Sequence, residues 1–231
     1  MPLILSKREP HLVEEMDKPD CDRTKLFNTY RQFQSINRLV SRWKVIYKQF
    51  IKPSLSFEKE NTLLDIGYGG GDLPLFLHHL ATNDGFRLSI TGIETDSRAV
   101  QFVDSLIIPK NISLEYASTT DLIKQNRQFD IVLSNHLLHH QQNDQLITLL
   151  NEATRLSRAR VIFNDIERGD VAWLLFRFLR PFYHNSFITK DGLLSIRRSF
   201  TKSEIERIIP TGWSVRRVFP YRLVITFDHP S

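Results

Sequence analysis

The sequence has almost no cysteine and no long hydrophobic run, and both absences limit what the protein can be. Its 231 residues include one cysteine, Cys21, so a disulfide framework and a zinc site built from several thiolates are excluded. The apolar run at residues 1–5 is too short for the hydrophobic region of a signal peptide. No stretch approaches the roughly 18 apolar residues of a membrane span. We therefore expect a cytoplasmic protein.

Positive charge is in excess only in the last third of the chain. The net charge is +5. Residues 151–231 contain 14 lysines and arginines against 8 aspartates and glutamates, whereas residues 1–150 contain 17 against 18. A basic face can attract RNA, an anionic lipid surface or an acidic substrate. The arginines are scattered, which favours a solvated basic surface without a partner, and both interpretations stay open.

Glycine is absent from the first 53 residues, where strand-forming residues are also few. Apolar residues between Leu26 and Phe50 recur mostly at spacings of three and four, which predicts one long helix or two joined helices. Asp22 is a suitable N-cap, and Pro53 ends the pattern. We predict an N-terminal helical cap over residues 1–56 and a single catalytic domain over residues 57–231.

From residue 60 onwards, strand and helix patterns alternate. Strands are predicted over 61–66, 86–94, 112–117, 129–134, 159–165, 214–219 and 223–227, and helices over 71–81, 97–106, 143–156, 170–183 and 202–209. Alternation of this kind is typical of a parallel sheet with helices on both faces. Only three residues separate the last two strands, so they form an antiparallel hairpin. The predicted fold class is α/β, a Rossmann-like seven-stranded sheet that is mostly parallel.

The glycine loop after the first predicted strand is the most informative segment. Apolar residues and Asp65 lead into Gly67-Tyr68-Gly69-Gly70-Gly71, and a helix follows. Glycines let the backbone approach a ligand closely, and a helix N-terminus adds N–H donors. The dinucleotide pattern G-x-G-x-x-G is absent, since its third glycine falls on Asp72 or Pro74. The spacing that is present is D-x-G-x-G-x-G.

This spacing resembles the first motif of class I methyltransferases that use S-adenosylmethionine (SAM). Ile90–Ala99 is similar to the family's second-strand signature, and Phe129–His140 is similar to its fourth strand. The Leu-His-His ending resembles the small-molecule and quinone methyltransferases. Further similarity, from residue 37 to the loop at 191–192, is to bacterial methyltransferases found with type III polyketide synthases. The resemblance implies SAM as the cofactor and a phenolic or pyrone lipid as the acceptor.

The resemblance also implies which residues hold the cofactor. Asp65 would order the glycine loop and receive the cofactor's amino group, and Glu94 would accept hydrogen bonds from both ribose hydroxyls. Ser118 stands where the family usually has an aspartate for the adenine amino group. The full predicted set is Asp65, Gly67, Tyr68, Gly69, Gly71, Glu94, Thr95, Ser118, Asn135 and His136.

Methyl transfer from a sulfonium requires an aligned acceptor, exclusion of water and, for a phenol, removal of a proton. We predict His184 as the base, oriented by Asp191, and His140 as a positioning group. For His139 and for His140, a structural role, such as packing under the cofactor or capping the next helix, is an alternative of at least equal weight. No metal is expected, because Ser134-Asn135 and Asn164-Asp165 occupy the places where catechol-type enzymes of this fold bind one.

Residues 168–200 are predicted to form a lid. Its apolar helix over 170–183 would be buried or line an apolar pocket, and a loop containing Arg197 and Arg198 would follow. The predicted function is methyl transfer to an oxygen of a small lipophilic acceptor. Two alternatives stay open: an RNA methyltransferase that uses the basic last third, and a non-catalytic cofactor-binding protein. Residues 134–137 lack the Asn/Asp-Pro-Pro-aromatic motif of base methylation, and the oligomeric state is open.

Overall fold

The computed structural model describes residues 2–230, and a seven-stranded sheet forms their centre. Its order is β3-β2-β1-β4-β5-β7-β6. Strands β1 to β5 are parallel, and β7 runs antiparallel to both β5 and β6. The strands are β1 Asn61–Ile66, β2 Leu88–Glu94, β3 Ile112–Tyr116, β4 Phe129–Asn135, β5 Ser157–Ile166, β6 Trp213–Val218 and β7 Arg222–Asp228. This arrangement confirms the predicted fold class.

Helices flank both faces of the sheet. They are α1 Arg23–Val40, α2 Trp43–Ile46, α3 Asp72–Asn83, α4 Ser97–Val103, α5 Thr119–Lys124, α6 Asn143–Leu156, α7 Asp170–Arg177, α8 Ile188–Arg198 and α9 Lys202–Ile205. A π-helical turn at Tyr47–Ile51 follows α2, and short 3-10 turns lie at Lys52–Ser54, Leu138–His140 and Arg180–Phe182. None of the helices within residues 2–230 is both long and apolar enough to cross a membrane.

Two helix predictions need correction. The predicted helix over 170–183 ends at Arg177, and Pro181 lies in the separate 3-10 turn that follows. The segment predicted as a lid loop is instead the helix α8. Gly192 lies within α8. A Cβ at that position would sit 2.3 Å from the Phe176 ring of α7. The glycine therefore permits close packing of two helices instead of forming a turn.

The sheet has a hydrophobic core on each face. On one face, Leu63 and Ile131 pack with α2, the π-helical turn and Leu77 of α3. On the other face, Leu64 and Val132 pack with the leucines of α6. Neighbouring strand residues point to opposite faces, so β1 and β4 are apolar on both sides.

The N-terminal helices divide between two environments. Trp43 and Tyr47 lie in the core beneath the sheet, whereas α1 packs beside the glycine loop, with Leu26 and Tyr30 against Tyr68 and Phe102. The predicted domain division at residue 56 stays a prediction. The packing makes residues 43–51 part of the core of the sheet.

Residues 3–17, here called the N-terminal strap, lie against α7 and α8. The backbone N–H groups of Ile4 and Leu5 donate to the carboxylate of Asp170. Further along, Glu9 pairs with Arg197 at 2.8 Å. The strap thus connects the start of the chain to helices more than 160 residues away.

Candidate active site

A cavity of about 620 Å³ lies at the carboxyl ends of the central strands. Strand β1 lies between β2 and β4, so the chain order reverses there, and ligands of open α/β sheets bind at such a point. The volume is within the range of small-molecule sites. The walls are formed by α1, the glycine loop, the end of β4, α7, α8 and residues 14–17 of the strap.

The glycine loop lies against the end of β2. Gly67 and Gly69 have φ angles of +79° and +52°, a backbone region that side chains other than glycine rarely adopt. The N–H of Gly69 donates to the Glu94 carboxylate at 3.2 Å, and the N–H groups of Thr95 and Asp96 donate to its other oxygen. Three backbone donors therefore fix Glu94 at the edge of the cavity.

Asp65 is a buried carboxylate whose two oxygens have no hydrogen-bond partner among residues 2–230, and it lines the cavity. Burial raises the pKa of Asp65 well above its usual value, and the nearby carboxylates of Asp72 and Glu94 raise it further. Burial also raises the pKa of Asp72 to about 6, despite a hydrogen bond from Asn37. Uncompensated acids in a cavity fit a cationic ligand, as the ammonium and sulfonium groups of SAM require.

The other predicted cofactor residues occupy different environments. The ring of Tyr68 is buried, and its hydroxyl has no partner within residues 2–230. Asn135 and His136 line the cavity, and His136 Nε2 lies 3.2 Å from the hydroxyl of Ser41. Burial and the charge of Arg222 hold the pKa of His136 well below its usual value, so its imidazole is neutral.

Ser118 lies outside the residues that line the cavity. Its hydroxyl is the N-cap of α5, where it accepts from the Asp121 N–H and donates to the Asp121 carboxylate. A contact between Ser118 and adenine therefore stays a prediction, and the hydroxyl already has a structural function.

His139 is the centre of a buried charged cluster that also lines the cavity. Its Nδ1 lies 2.7 Å from Asp165, and its Nε2 lies 3.4 Å from Glu14 without alignment for a hydrogen bond. Burial lowers the pKa of His139, but the charge and hydrogen bond of Asp165, together with Glu14, outweigh it and raise the pKa to about 9. His139 is therefore an imidazolium at neutral pH, and the pKa of Asp165 is well below its usual range.

His140 lies beside this cluster and lines the cavity. Its Nδ1 is 3.2 Å from the Asp17 carboxylate, and its side chain keeps 25% of its exposure. Arg198 Nη1 lies 3.4 Å from both Glu14 and Asp17. The negative charges of Glu14 and Asp17 thus offset the positive charges of His139 and Arg198, and Asp17 orients the ring of His140.

The predicted pair of His184 and Asp191 does not form. His184 is exposed and lies outside the residues that line the cavity. The Asp191 carboxylate accepts from the backbone N–H groups of Glu15 and Met16 at 2.8 and 2.9 Å. Burial raises the pKa of Asp191 to about 7, although these N–H groups oppose the rise. Asp191 therefore anchors the strap instead of orienting a base.

Sequence reasoning did not identify Glu14 and Asp17 as site residues. Both lie in an irregular segment that has no helical or strand pattern. Their partners, His139, His140 and Arg198, are more than 120 positions away in the chain. The only signal in the sequence is the acidic run at residues 14–17, which by itself indicates a solvated surface.

Comparison with known proteins gives a family match and several similar folds. Residues 63–160 match the family described as "Methyltransferase domain". The chain is similar to the plantazolicin methyltransferase BpumL in complex with SAH, at 12% identity and a TM-score of 0.61, over 94% of this chain and 93% of that one. It is also similar to human N-acetylserotonin methyltransferase in complex with SAM, at 11% identity and a TM-score of 0.60, over 91% of this chain and 57% of that one. A third similar structure is magnesium protoporphyrin IX methyltransferase (ChlM) from Synechocystis PCC 6803 with bound SAH. Its identity is 14% and its TM-score 0.52, over 86% of this chain and 84% of that one.

At these identities the three structures establish the fold alone. No curated protein matches the sequence. The family match, over residues 63–160, agrees with the predicted activity. The predicted enzyme class, a methyltransferase that uses SAM, is confirmed.

Proposed function

We propose that this methyltransferase transfers the methyl group of SAM to an oxygen of a small lipophilic acceptor, such as a phenol, a hydroxypyrone or a reduced quinone. One observation carries the proposal: a single cavity is lined by the glycine loop and its neighbouring acids, by His139 and His140, and by apolar side chains. Ile36, Leu179 and Ile196 are among the wall residues. An apolar ring fits these walls, and its hydroxyl is placed at the histidines.

The acidic part of the cavity is the proposed cofactor site. When bound, SAM supplies an electrophilic methyl group. Glu94, already fixed by three N–H groups, would accept from the ribose hydroxyls, and Asp65 would receive the amino group. Of the other predicted residues, Tyr68, Asn135 and His136 also line the cavity.

His139 is proposed to stabilise negative charge on the acceptor oxygen. It is protonated at neutral pH and therefore cannot take a proton from the acceptor. Its Nε2 is buried 3.4 Å from Glu14, so the imidazolium would act on the acceptor oxygen through its charge and not through a direct hydrogen bond. A cation placed beside a bound phenol also lowers the pKa of that phenol.

His140 is proposed as the base in place of His184. It lines the cavity, Asp17 contacts Nδ1, and Nε2, which lies 3.9 Å from the Glu14 carboxylate, would accept the proton. The partial exposure of His140 gives that proton a route to solvent.

The arginines of the last third do not favour the RNA alternative. Arg168 pairs with Glu204, Arg197 with Glu9 and Arg217 with Glu167. Much of the excess positive charge is thus already paired with carboxylates.

The test is an assay with SAM and a series of alkylated phenols and hydroxypyrones, with O-methylated products detected by mass spectrometry. We expect turnover that increases with apolar substitution. His140→Gln should lower the rate on a phenol of high pKa by roughly 100-fold, the scale of a lost general base, and should affect an already ionised phenol less. His184→Gln is the matched comparison and should keep its activity. No methylated product from any acceptor would overturn the proposed function, and loss of rate only in His184→Gln would overturn the choice of base.

A further inference from the structure

Helix α7 exposes an apolar face that the cavity does not use. Val171, Leu174 and Phe178 follow the helical spacing of a single face, and all three are exposed. Phe178 and the nearby Phe182 keep 74% and 75% of their exposure. The strap adds Leu3 and Ile4, whose backbone N–H groups donate to Asp170 at the start of α7. These six residues are here called the apolar ridge.

The apolar ridge is continuous with the mouth of the cavity. Leu175 of α7 and Leu39 of α1 both line the cavity, yet they keep 56% and 59% of their exposure. Leu175 follows Leu174 of the ridge directly in the helix. An apolar surface therefore extends from the outside of α7 into the cavity, without a polar rim along this helix.

Apart from Asp170, whose carboxylate accepts from the N–H groups of the strap, the charged residues between 170 and 190 are positive. No aspartate or glutamate occurs between Asp170 and Asp191. Arg177 and Arg180 are exposed and form no ion pair within residues 2–230. The guanidinium of Arg177 lies over the Trp173 ring at 5.1 Å, beside the apolar face. A partner for this surface must supply both apolar area and negative charge.

We propose that the apolar ridge docks on the surface of an anionic lipid bilayer. An apolar helix face with cationic residues at its border is the arrangement of helices that lie in the interface, with apolar side chains between the headgroups and arginines at the phosphates. A second copy of the chain fits less well, because it would bring the unpaired arginines of both ridges together with no acid between them. Docking would place the mouth of the cavity at the membrane, where a lipophilic acceptor is dissolved. This last step rests on the proposed function, but docking does not.

The experiment is co-sedimentation of the full chain with vesicles of phosphatidylcholine alone and of phosphatidylcholine with phosphatidylglycerol. We expect binding to the anionic vesicles that weakens with salt. Leu174→Glu/Phe178→Glu should abolish it, and Arg177→Gln/Arg180→Gln should weaken it by about tenfold or more, the scale of two surface charges. Ile107→Glu is the matched control, because Ile107 is 97% exposed but precedes β3 at the opposite edge of the sheet. SAH affinity should be equal in all four proteins, which shows that each variant is folded.

Three results would overturn the docking proposal. The chain remains in solution with both kinds of vesicle, or Leu174→Glu/Phe178→Glu binds vesicles as well as the unaltered chain does. The third result is a dimer of the unaltered chain in light scattering, with Leu174→Glu/Phe178→Glu a monomer and neither protein binding vesicles. Methylation of a detergent-dissolved phenol tests the proposed function separately. Activity without docking rejects only the bilayer, and docking without activity rejects only the acceptor.

Discussion

Glu94 is positioned by the backbone of its own loop and of the glycine loop, so its role can be tested with little change in shape. Glu94→Gln removes the negative charge from hydrogen bonds to the ribose, and charge-assisted bonds are about twice as strong as neutral ones. We expect the affinity for SAH, measured by titration calorimetry, to fall by roughly 10- to 100-fold. Glu58→Gln, at an exposed position, is the control and should not change it. Equal affinities in the two variants would contradict the ribose assignment.

His139 gives the stability of the fold a dependence on pH. Its pKa is raised from 6.5 to about 9 in the folded chain, so its contribution is complete below pH 6.5 and is lost as the pH rises through about 9. We expect the free energy of unfolding to decrease over this window. Compared with His139→Gln, the unaltered chain should lose roughly 1–3 kcal/mol more. Denaturant unfolding at a series of pH values measures this, and parallel curves would show that His139 is not the titrating group.

Single residues differ in how far the sequence reveals them. Glu94 and the glycine loop were predictable because a local motif contains them. For Ser118 the sequence contains a second signal, since Ser118-x-x-Asp121 is a capping-box pattern that predicts the helix α5 and a structural use of the hydroxyl. Glu14 has no local signal, because burial against His139 and Arg198 alone gives it a role.

Helices α7 and α8 pack so closely that a Cβ at Gly192 would collide with the Phe176 ring unless the ring moved. In an isolated helix, Gly192→Ala would be favourable by about 1 kcal/mol. Here the new methyl group would lie 2.3 Å from the Phe176 ring, so we expect the substitution to destabilise the chain by roughly 1–3 kcal/mol. Phe176→Leu in the same chain should restore part of the loss, because it removes the ring. Thermal unfolding of the two single variants and the double variant tests this, and additive effects would mean that the two residues do not interact.

The same contact explains why α8 was taken for a loop. Asp191-Gly192 is a common turn dipeptide. It lies in a helix here, where the glycine packs against α7. By contrast, α6 is found with the predicted bounds because its leucines repeat along one face. Periodicity also predicted the N-terminal helices, but it could not separate α1, which lines the cavity, from residues 43–51, which complete the core.

Over the whole molecule, charges that are distant in sequence meet in pairs. The acids of the strap neutralise arginines and a lysine of the last third, including Lys190, which contacts Glu15 at 2.7 Å. Counting charges along the sequence showed the imbalance but not these pairs. The net charge of +5 therefore overstates the free positive surface.

We accordingly expect only weak, non-specific association with RNA. Fluorescence anisotropy with a short single-stranded RNA at physiological salt should give a Kd of roughly 10⁻⁴ to 10⁻⁶ M, the range of non-specific contacts. Arg177→Gln/Arg180→Gln should reduce even this binding, because these arginines are unpaired within residues 2–230. A nanomolar Kd would support the RNA methyltransferase alternative.

The strap also determines when the site can first exist during translation. Glu14 and Arg198 are 184 residues apart, and the ribosome adds about 5–20 residues per second, so the strap waits roughly 10 to 40 s for its partners. In that interval the acids of the strap are solvated, while the strands of the methyltransferase domain are already available to pair. The contacts between the strap and α8 therefore form only after β1 to β5 have been synthesised.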